Sequence, residues 1–195
     1  SLKNIFLDIK KVSIIKNINF DIKAKTFHGI KGLSGSGKST IIDIISGIVI
    51  PTSGKVYIDE KDINLIKYKW INSIGYSGNF VHLMNDTIEN NIIYGRESDK
   101  NHKTKIENIL KISGLNEIVN KLENGLQYVI DDQGSNLSSG QKQRIGICRA
   151  LYSNPNLIIL DEATNALDKS SEMKIIENLK KNYSDKTFII ISHNK

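Results

Sequence analysis

Short apolar runs separated by lysine, asparagine and aspartate open the chain and predict β-strands. Residues 4–22 contain several such runs, each too short for a helix and rich in β-branched isoleucine and valine. Turn-forming polar residues lie between the runs, a pattern typical of antiparallel strands or a hairpin. Residues 26–31 carry β-branched and aromatic side chains and predict a further strand, which leads into a glycine-rich segment.

Later segments alternate between helical and strand-like spacing of their apolar residues. Helices are predicted at residues 41–46, 65–71, 87–94, 103–113, 138–152 and 169–182. Strands are predicted at residues 55–58, 73–76, 157–160 and 187–191, turns at residues 51–54 and 59–62, and a loop-rich stretch at residues 125–139. Gly47 and Gly114 would end two of the helices, and Asp86 or Thr87 would cap a third.

This alternation predicts an α/β fold with a largely parallel central sheet. The mainly helical stretch between the strand-like zones would form a helical subdomain over about residues 77–145. The core would comprise residues 1–76 and 146–195, within one domain over residues 1–195. Open parallel sheets bind ligands at the carboxyl ends of their strands, so the chemistry is expected at that edge.

Composition narrows the class of protein. With 195 residues, 39% of them hydrophobic, the chain can bury one sizeable core. The net charge of +6 comes from scattered lysines, so no nucleic-acid partner is predicted. The single cysteine, Cys148, falls in a helical pattern where burial is expected. No stretch reaches the ~20 apolar residues of a membrane span, and a first residue of Ser1 suggests a piece of a longer protein.

A complete phosphate-loop pattern, G-x-x-x-x-G-K-[ST], joins the strand at residues 26–31 to the helix at residues 41–46. The candidate phosphate-binding residues are Gly32, Leu33, Ser34, Gly35, Ser36, Gly37, Lys38, Ser39 and Thr40. Glycines let backbone N–H groups turn towards phosphate oxygens, and the helix dipole favours an anion there. Lys38 would supply a positive charge for the β- and γ-phosphates, and the Ser39 hydroxyl is a candidate Mg²⁺ ligand.

Two carboxylates, Asp161 and Glu162, follow the apolar strand at residues 157–160. Carboxylates beside a buried strand need partners, since burying an unpaired charge is costly. Next to a bound nucleotide, Asp161 is a candidate Mg²⁺ ligand, and Glu162 is a candidate catalytic base for the attacking water.

A second helix start rich in serine and glycine lies at residues 137–141. Ser138 and Gln141 have the spacing of a capping box. A capped helix start of this kind is a candidate anion site, although capping alone would explain the same residues in an arbitrary protein.

Five motifs in this order resemble those of the nucleotide-binding domain of ABC transporters. They are residues 32–40, 137–141, 157–162, 165–168 and 192–193. The resemblance covers nearly the whole chain. It implies a P-loop NTPase core of RecA-like type, with a mostly parallel sheet, an N-terminal antiparallel β region and a helical subdomain. It also implies Mg²⁺-dependent ATP hydrolysis by a head-to-tail dimer. Each ATP would lie between the phosphate loop of one chain and the Leu-Ser-x-Gly-Gln signature of the other.

The resemblance further implies roles for single residues. The signature residues that would contact the partner's nucleotide are Ser138, Ser139, Gly140 and Gln141. Asp168 would lie at the dimer interface and couple the two sites. Glu162, Lys38 and His193 would be catalytic, with His193 holding the γ-phosphate and the attacking water.

Residues 74–79, 85–92 and 131–134 are similar to the exporter branch of this family, which implies a membrane domain on the same polypeptide. The expected location is the cytoplasmic face of a membrane, such as the bacterial inner membrane. Asn79 aligns with the family's loop glutamine, which reaches the metal and senses the membrane domain, and its side chain is shorter by ~1.5 Å. Ser139 replaces the first glycine of the signature.

The adenine-stacking aromatic residue of many family members has no clear counterpart, although Ile9 and Phe6 fall near the expected place. Two alternatives stay open. One is a soluble ABC-type ATPase of repair, translation or assembly, against which stands the absence of sustained heptads between the phosphate loop and the signature. The other is a nucleotide-binding domain with impaired hydrolysis, which Asn79 and Ser139 suggest.

Overall fold

Two four-stranded sheets organise the computed structural model, which describes residues 1–33, 35–96 and 100–192. The strands are β1 (Leu2–Ile9), β2 (Val12–Phe20), β3 (Phe27–Ile30), β4 (Ser53–Ile58), β5 (Lys61–Asp62), β6 (Ile74–Gly78), β7 (Leu157–Asp161) and β8 (Thr187–Ile191). The α-helices are α1 (Lys38–Ser46), α2 (Ile63–Asn72), α3 (Ile88–Ile93), α4 (His102–Ser113), α5 (Asn116–Val119), α6 (Ser139–Tyr152) and α7 (Lys169–Asn182). Short 3-10 turns lie at Gly125–Gln127 and Asp132–Gly134.

The first sheet is antiparallel, with the strand order β2-β1-β4-β5. The predicted N-terminal hairpin is confirmed, since β1 pairs antiparallel with β2 through a turn at Lys10 and Lys11, both at positive φ. The predicted turn at residues 51–54 is wrong in its second half, because β4 already begins at Ser53. Ser53 lies opposite Phe6 of β1, so a long-range pairing extends the strand into residues that favour a turn locally.

The second sheet is entirely parallel, with the strand order β3-β8-β7-β6. Strand β7 is buried along its whole length, as its continuous apolar run predicts. The last residues of the four strands are in register: Ile30 lies opposite Ile191, Ile191 opposite Asp161, and Asp161 opposite Gly78. The segments that follow these four strands therefore all start at the carboxyl end of the parallel sheet.

Among the described residues, buried apolar side chains form two clusters. One lies where α1 packs between the two sheets, and the other joins α3, α4, α6 and α7 to the parallel sheet. Cys148 is fully buried in the second cluster, as predicted, and burial raises the pKa of its thiol to about 12. Gly47 and Gly114 end α1 and α4 in the left-handed conformation, also as predicted.

Helix α6 crosses the predicted boundary between the helical subdomain and the core. It contacts α3 and α4 on the helical side and β6 on the sheet side. The boundaries of the helical subdomain at residues 77 and 145 therefore stay a prediction. Helix α6 is the element that joins this subdomain to the core. Across the described residues, no helix combines the length and apolarity that a membrane crossing requires.

Candidate active site

The phosphate loop leaves the carboxyl end of β3 and leads into α1. Gly35 and Gly37 have φ values of 75° and 86°, a left-handed conformation that favours glycine. A Cβ on Gly32 would come within 2.7 Å of the Ser36 hydroxyl oxygen, so the loop closes tightly there. The Ser36 N–H donates to the Leu33 carbonyl at 3.2 Å. The predicted strand–loop–helix context is thus present.

Lys38 lies inside this loop. Its side chain is only 7% exposed, and Nζ donates to the carbonyl oxygens of Gly32 at 2.9 Å and Leu33 at 2.8 Å. The loop therefore wraps around a positive charge. Gly37 is the N-cap of α1 and contributes no side-chain cap, so the first N–H groups of the helix have no side-chain partner there. Such a helix start attracts anions.

Ser39 and Thr40 follow Lys38 in the first turn of α1, with Ser39 exposed and Thr40 half-buried. An exposed hydroxyl at this position can reach a cation bound beside the loop. Ser34, another predicted loop residue, lies outside the described residues.

The β1–β2 hairpin lies against the end of the phosphate loop. A Cβ on Gly37 would come within 2.9 Å of Ile15 Cδ1. The exposed apolar residues of the hairpin include Ile9, Val12 and Ile14. The part of the hairpin that flanks the loop is therefore aliphatic.

Asp161 ends β7 and is 9% exposed. The Tyr76 hydroxyl donates to its Oδ2 at 3.3 Å, and burial together with this carboxylate raises the pKa of Tyr76 to about 12. Burial and the proximity of Asp161 also raise the pKa of Asp43 in α1. Negative charge is therefore concentrated beside the phosphate loop, which is favourable for binding a divalent cation.

Glu162 follows directly and has a φ of 57°, so the strand conformation ends at this residue. Its N–H donates to the Ile191 carbonyl at 3.1 Å. The Asn165 amide donates to Glu162 Oε2 at 3.0 Å. The neighbouring strand thus holds the backbone of Glu162, and the following turn holds its carboxylate. A carboxylate fixed at a strand end in this way is suited to accept a proton.

Asn79 follows β6 and is exposed. Its Oδ1 accepts a hydrogen bond of 3.3 Å from the Nε2 of Gln143 in α6. Asn79, a predicted Mg²⁺ ligand, is therefore hydrogen-bonded to α6, the helix that begins with the signature residues.

The signature residues form the N-terminus of α6. The predicted capping box is present: Ser138 Oγ accepts from the Gln141 N–H at 3.2 Å, and Gln141 Oε1 accepts from the Ser138 N–H at 2.7 Å. Ser138 and Ser139 are exposed. A Cβ on Gly140 would come within 3.1 Å of Leu167 Cδ2, so the turn before α7 packs closely against α6 at this glycine.

Asp168 is the N-cap of α7. Its Oδ1 accepts from the Ser171 N–H at 2.9 Å and from the Ser170 hydroxyl. These hydrogen bonds hold the pKa of the exposed Asp168 carboxyl well below its usual range. Asp168 is thus a charged residue at the start of a helix, near the turn that contacts Gly140.

Three contributors to this site were missed by sequence reasoning. They are Tyr76, Asn165 and Gln143. A polar residue in a helical pattern is ordinarily expected at the surface, which explains the omission of Gln143. The glycines three positions before and after it, Gly140 and Gly146, were an unused sign of close approach on that face. His193 lies outside the described residues.

Comparisons with known proteins found similar sequences and a similar structure. A family model described as "ABC transporter" matches residues 15–165. The chain is 40% identical over 180 residues to the ATP-dependent lipid A-core flippase of Vibrio parahaemolyticus, covering 92% of this chain and 31% of that protein. It is 39% identical over 184 residues to the alpha-hemolysin translocation ATP-binding protein HlyB of Escherichia coli, covering 92% of this chain and 25% of HlyB.

A solved structure of a bacterial Atm1-family ABC exporter with ATP bound is similar over 99% of this chain. The TM-score is 0.92 at 31% identity, and the match covers 34% of that exporter chain. The chain therefore spans about a third or less of the length of these three proteins.

Proposed function

Because the chain is a nucleotide-binding domain that belongs to the ABC transporter family, we propose that it hydrolyses ATP to power a membrane exporter or flippase. The relatives reported above are export and flippase proteins, which favours this reading over a soluble ATPase of repair or translation. Their greater length favours a membrane domain on the same polypeptide. We place the chain at the cytoplasmic face of a bacterial inner membrane.

One observation carries the proposal. A loop that wraps around Lys38 leaves β3 of the parallel sheet. Asp161, the last residue of β7, is in register with the end of β3 through Ile191 of β8, and Glu162 follows it directly. A positive cradle and two carboxylates at one edge can hold a triphosphate, a divalent cation and a water molecule. Phosphoryl transfer needs little more than this positioning and charge stabilisation.

Each residue then has a defined task. The loop N–H groups and Lys38 bind the phosphates, and Ser39, Asp161 and Asn79 would hold Mg²⁺. When bound, Mg²⁺ neutralises phosphate charge during transfer of the γ-phosphoryl group. Glu162, oriented by Asn165, accepts the proton of the attacking water.

The exposed serines of the signature support a second part of the proposal. In a head-to-tail dimer, the start of α6 would meet the nucleotide held by the partner's phosphate loop, and Asp168 would lie at the interface. His193 would contact the γ-phosphate. The helical subdomain over residues 77–145 would transmit closure and opening to the membrane part.

The experiment is a phosphate-release assay on the purified protein, with and without Mg²⁺. Hydrolysis should require Mg²⁺ and disappear when EDTA removes it. Glu162→Gln should lower kcat by ~10²–10⁴-fold while ATP binding persists. The ATP-bound variant should also form a dimer in light scattering. Unchanged turnover in Glu162→Gln would reject Glu162 as the base, and no ATP binding at all would reject the function.

A second candidate function has one observation in its favour. Asn79 is short for a metal ligand, and its Oδ1 is already engaged by Gln143. A domain that binds ATP without hydrolysing it would fit this contact. In the same assay it would bind ATP, form the dimer and release no phosphate.

A further inference from the structure

Gln143 is a buried amide at the centre of the site, and none of the roles above uses it. The residue is 2% exposed and lies on α6, five positions after Ser138. Its Oε1 accepts from the Ala166 N–H at 2.9 Å. Its Nε2 donates to Asn79 Oδ1 at 3.3 Å and to the carbonyl oxygens of Asn79 and Glu162, each at 3.5 Å.

These contacts fix the orientation of the amide. A backbone N–H can only donate, so the atom of Gln143 that faces Ala166 must be the oxygen. The NH₂ group is then turned towards Asn79 and Glu162. One side chain thus connects α6 with the segments that follow β6 and β7 and with the turn that leads to Asp168.

The same face of α6 is built for close approach. Gly140 and Gly146 lie three positions before and after Gln143, on one side of the helix. A Cβ on Gly140 would come within 3.3 Å of the Ala166 carbonyl, and a Cβ on Gly146 within 2.8 Å of the Ser77 hydroxyl oxygen. The backbone of α6 therefore lies against the turn at one end of this face and against β6 at the other, with the amide between them.

We propose that Gln143 is a positioning residue. It holds the backbone of Glu162 and the turn at residues 163–168 against the signature helix. When the signature of one chain binds the nucleotide of its partner, Gln143 would thereby position Glu162, the proposed base, of the same chain as the signature. This inference rests on the proposed ATP hydrolysis, but its structural part can be tested without turnover.

The chain offers a matched control in Asn91 of α3. Asn91 is also a fully buried amide with four hydrogen bonds: its Oδ1 accepts from the Met84 N–H, and its Nδ2 donates to the carbonyl oxygens of Met84, Asp86 and Thr87. None of these partners is a proposed site residue. Gln143→Met and Asn91→Leu thus remove similar amides with nearly isosteric apolar side chains.

The first measurement is steady-state ATP hydrolysis, normalised to folded protein. Gln143→Met should lower kcat by about 10- to 100-fold, as is usual for loss of a residue that orients catalytic groups. KM should change less than about two-fold, because the phosphate loop is untouched. Asn91→Leu should lower Tm but leave both constants near wild type. Equal loss of kcat in the two variants, or wild-type kcat in Gln143→Met, would overturn the proposal.

The second measurement is hydrogen–deuterium exchange of the purified protein without nucleotide. In Gln143→Met the Ala166 N–H loses its acceptor, so peptides over residues 162–168 should exchange faster. Asn91→Leu should instead accelerate residues 84–87. If the wild type hydrolyses no ATP, the proposed function fails on its own. The exchange result then still decides whether Gln143 holds the turn, and unchanged exchange at residues 162–168 would reject it.

Should Gln143→Met fold too poorly to assay, Gln143→Asn keeps an amide and shortens the reach by ~1.5 Å. It should lower kcat in the same direction with a smaller loss of Tm. A wild-type kcat in this variant, with unchanged exchange, would likewise contradict the role.

Discussion

The phosphate loop and the signature are both helix starts built from serine and glycine, yet their backbones are satisfied in different ways. Helix α1 begins after Gly37 in the left-handed conformation, with no side chain capping it. Helix α6 begins after Ser138 in an extended conformation, and a reciprocal capping box uses the Ser138 and Gln141 N–H groups. Two helix starts of similar composition thus differ in capping: no side chain caps α1, whereas a capping box caps α6.

The lysine near each helix start also forms its hydrogen bonds in a different place. Lys38 is buried within its own loop, bonded to the carbonyl oxygens of Gly32 and Leu33. Lys142, in the first turn of α6, reaches outward to the Gln133 carbonyl at 3.0 Å. Of these two helix starts, as far as the structure describes them, that of α1 combines a lysine bonded within its own loop with an N-terminus that no side chain caps. The loop combines features that favour an anion within one molecule. The signature presents exposed hydroxyls, which in the proposed dimer would meet the partner's nucleotide.

The largest expected effect tests this difference directly. Lys38→Ala removes the charge around which the loop is wrapped, so hydrolysis should fall by ~10²–10³-fold and ATP affinity should weaken. Lys142→Ala should change ATP affinity by less than about two-fold, since its bond to Gln133 lies away from the loop. Calorimetric titration with ATP and a phosphate-release assay measure both. Equal loss of ATP affinity in the two variants would contradict the proposal that, of these two lysines, only Lys38, at the start of α1, contributes to ATP binding within one molecule.

A smaller effect is expected at the signature. Ser138→Ala should lower hydrolysis by at least about 10-fold in the dimer, without changing ATP affinity at dilutions where the protein is monomeric. The lost N-cap should also cost about 1 kcal/mol of stability.

Thr87→Ala is the matched control for that cap. Thr87 caps α3 by accepting from the Asn90 N–H at 3.0 Å, and it is not one of the proposed nucleotide-binding or catalytic residues. Thermal unfolding should report a similar loss for both variants, and only Ser138→Ala should lose hydrolysis. If Thr87→Ala lost as much hydrolysis as Ser138→Ala, the effect of Ser138 would be explained by helix capping alone.

The smallest effect concerns charge at a helix cap. Asp168→Ala should lower Tm by about 2–4 °C at pH 7, as is common for N-cap loss in a domain of this size. The folded pKa of Asp168 is depressed, so its stabilisation is present above the ordinary value near 4 and is lost as pH falls through the lower folded value.

The pH dependence separates this cap from the signature cap. The Tm difference between wild type and Asp168→Ala should hold from pH 7 to about pH 4 and shrink below it. The difference for Ser138→Ala should not titrate, because a hydroxyl carries no charge in this range. A constant Tm difference for Asp168→Ala down to the lowest pH at which the protein folds would argue that its charge is irrelevant to the cap.

Local chemistry made much of the fold predictable. The bounds of α7 at residues 169–182 matched the sequence prediction, because an amphipathic period and an Asp cap act within a few residues of each other. The phosphate loop, the capping box and the glycine stops at Gly47 and Gly114 were predictable for the same reason. The start of β4 was not, because its pairing partner β1 is remote in sequence.

The chain alone thus determined the bounds of α7, the glycine ends of α1 and α4, the place of the glycine loop and the residue types available for catalysis. These features depend on neighbours within about one helical turn, and the sequence displays such neighbours directly. Only the tertiary structure decided that Lys38 folds back into its loop, that Tyr76 contacts Asp161 and that Gln143 joins Asn79, Glu162 and Ala166. The residues of the last two contacts come from distant segments, and their meeting follows from the register of the parallel sheet and the close approach of α6.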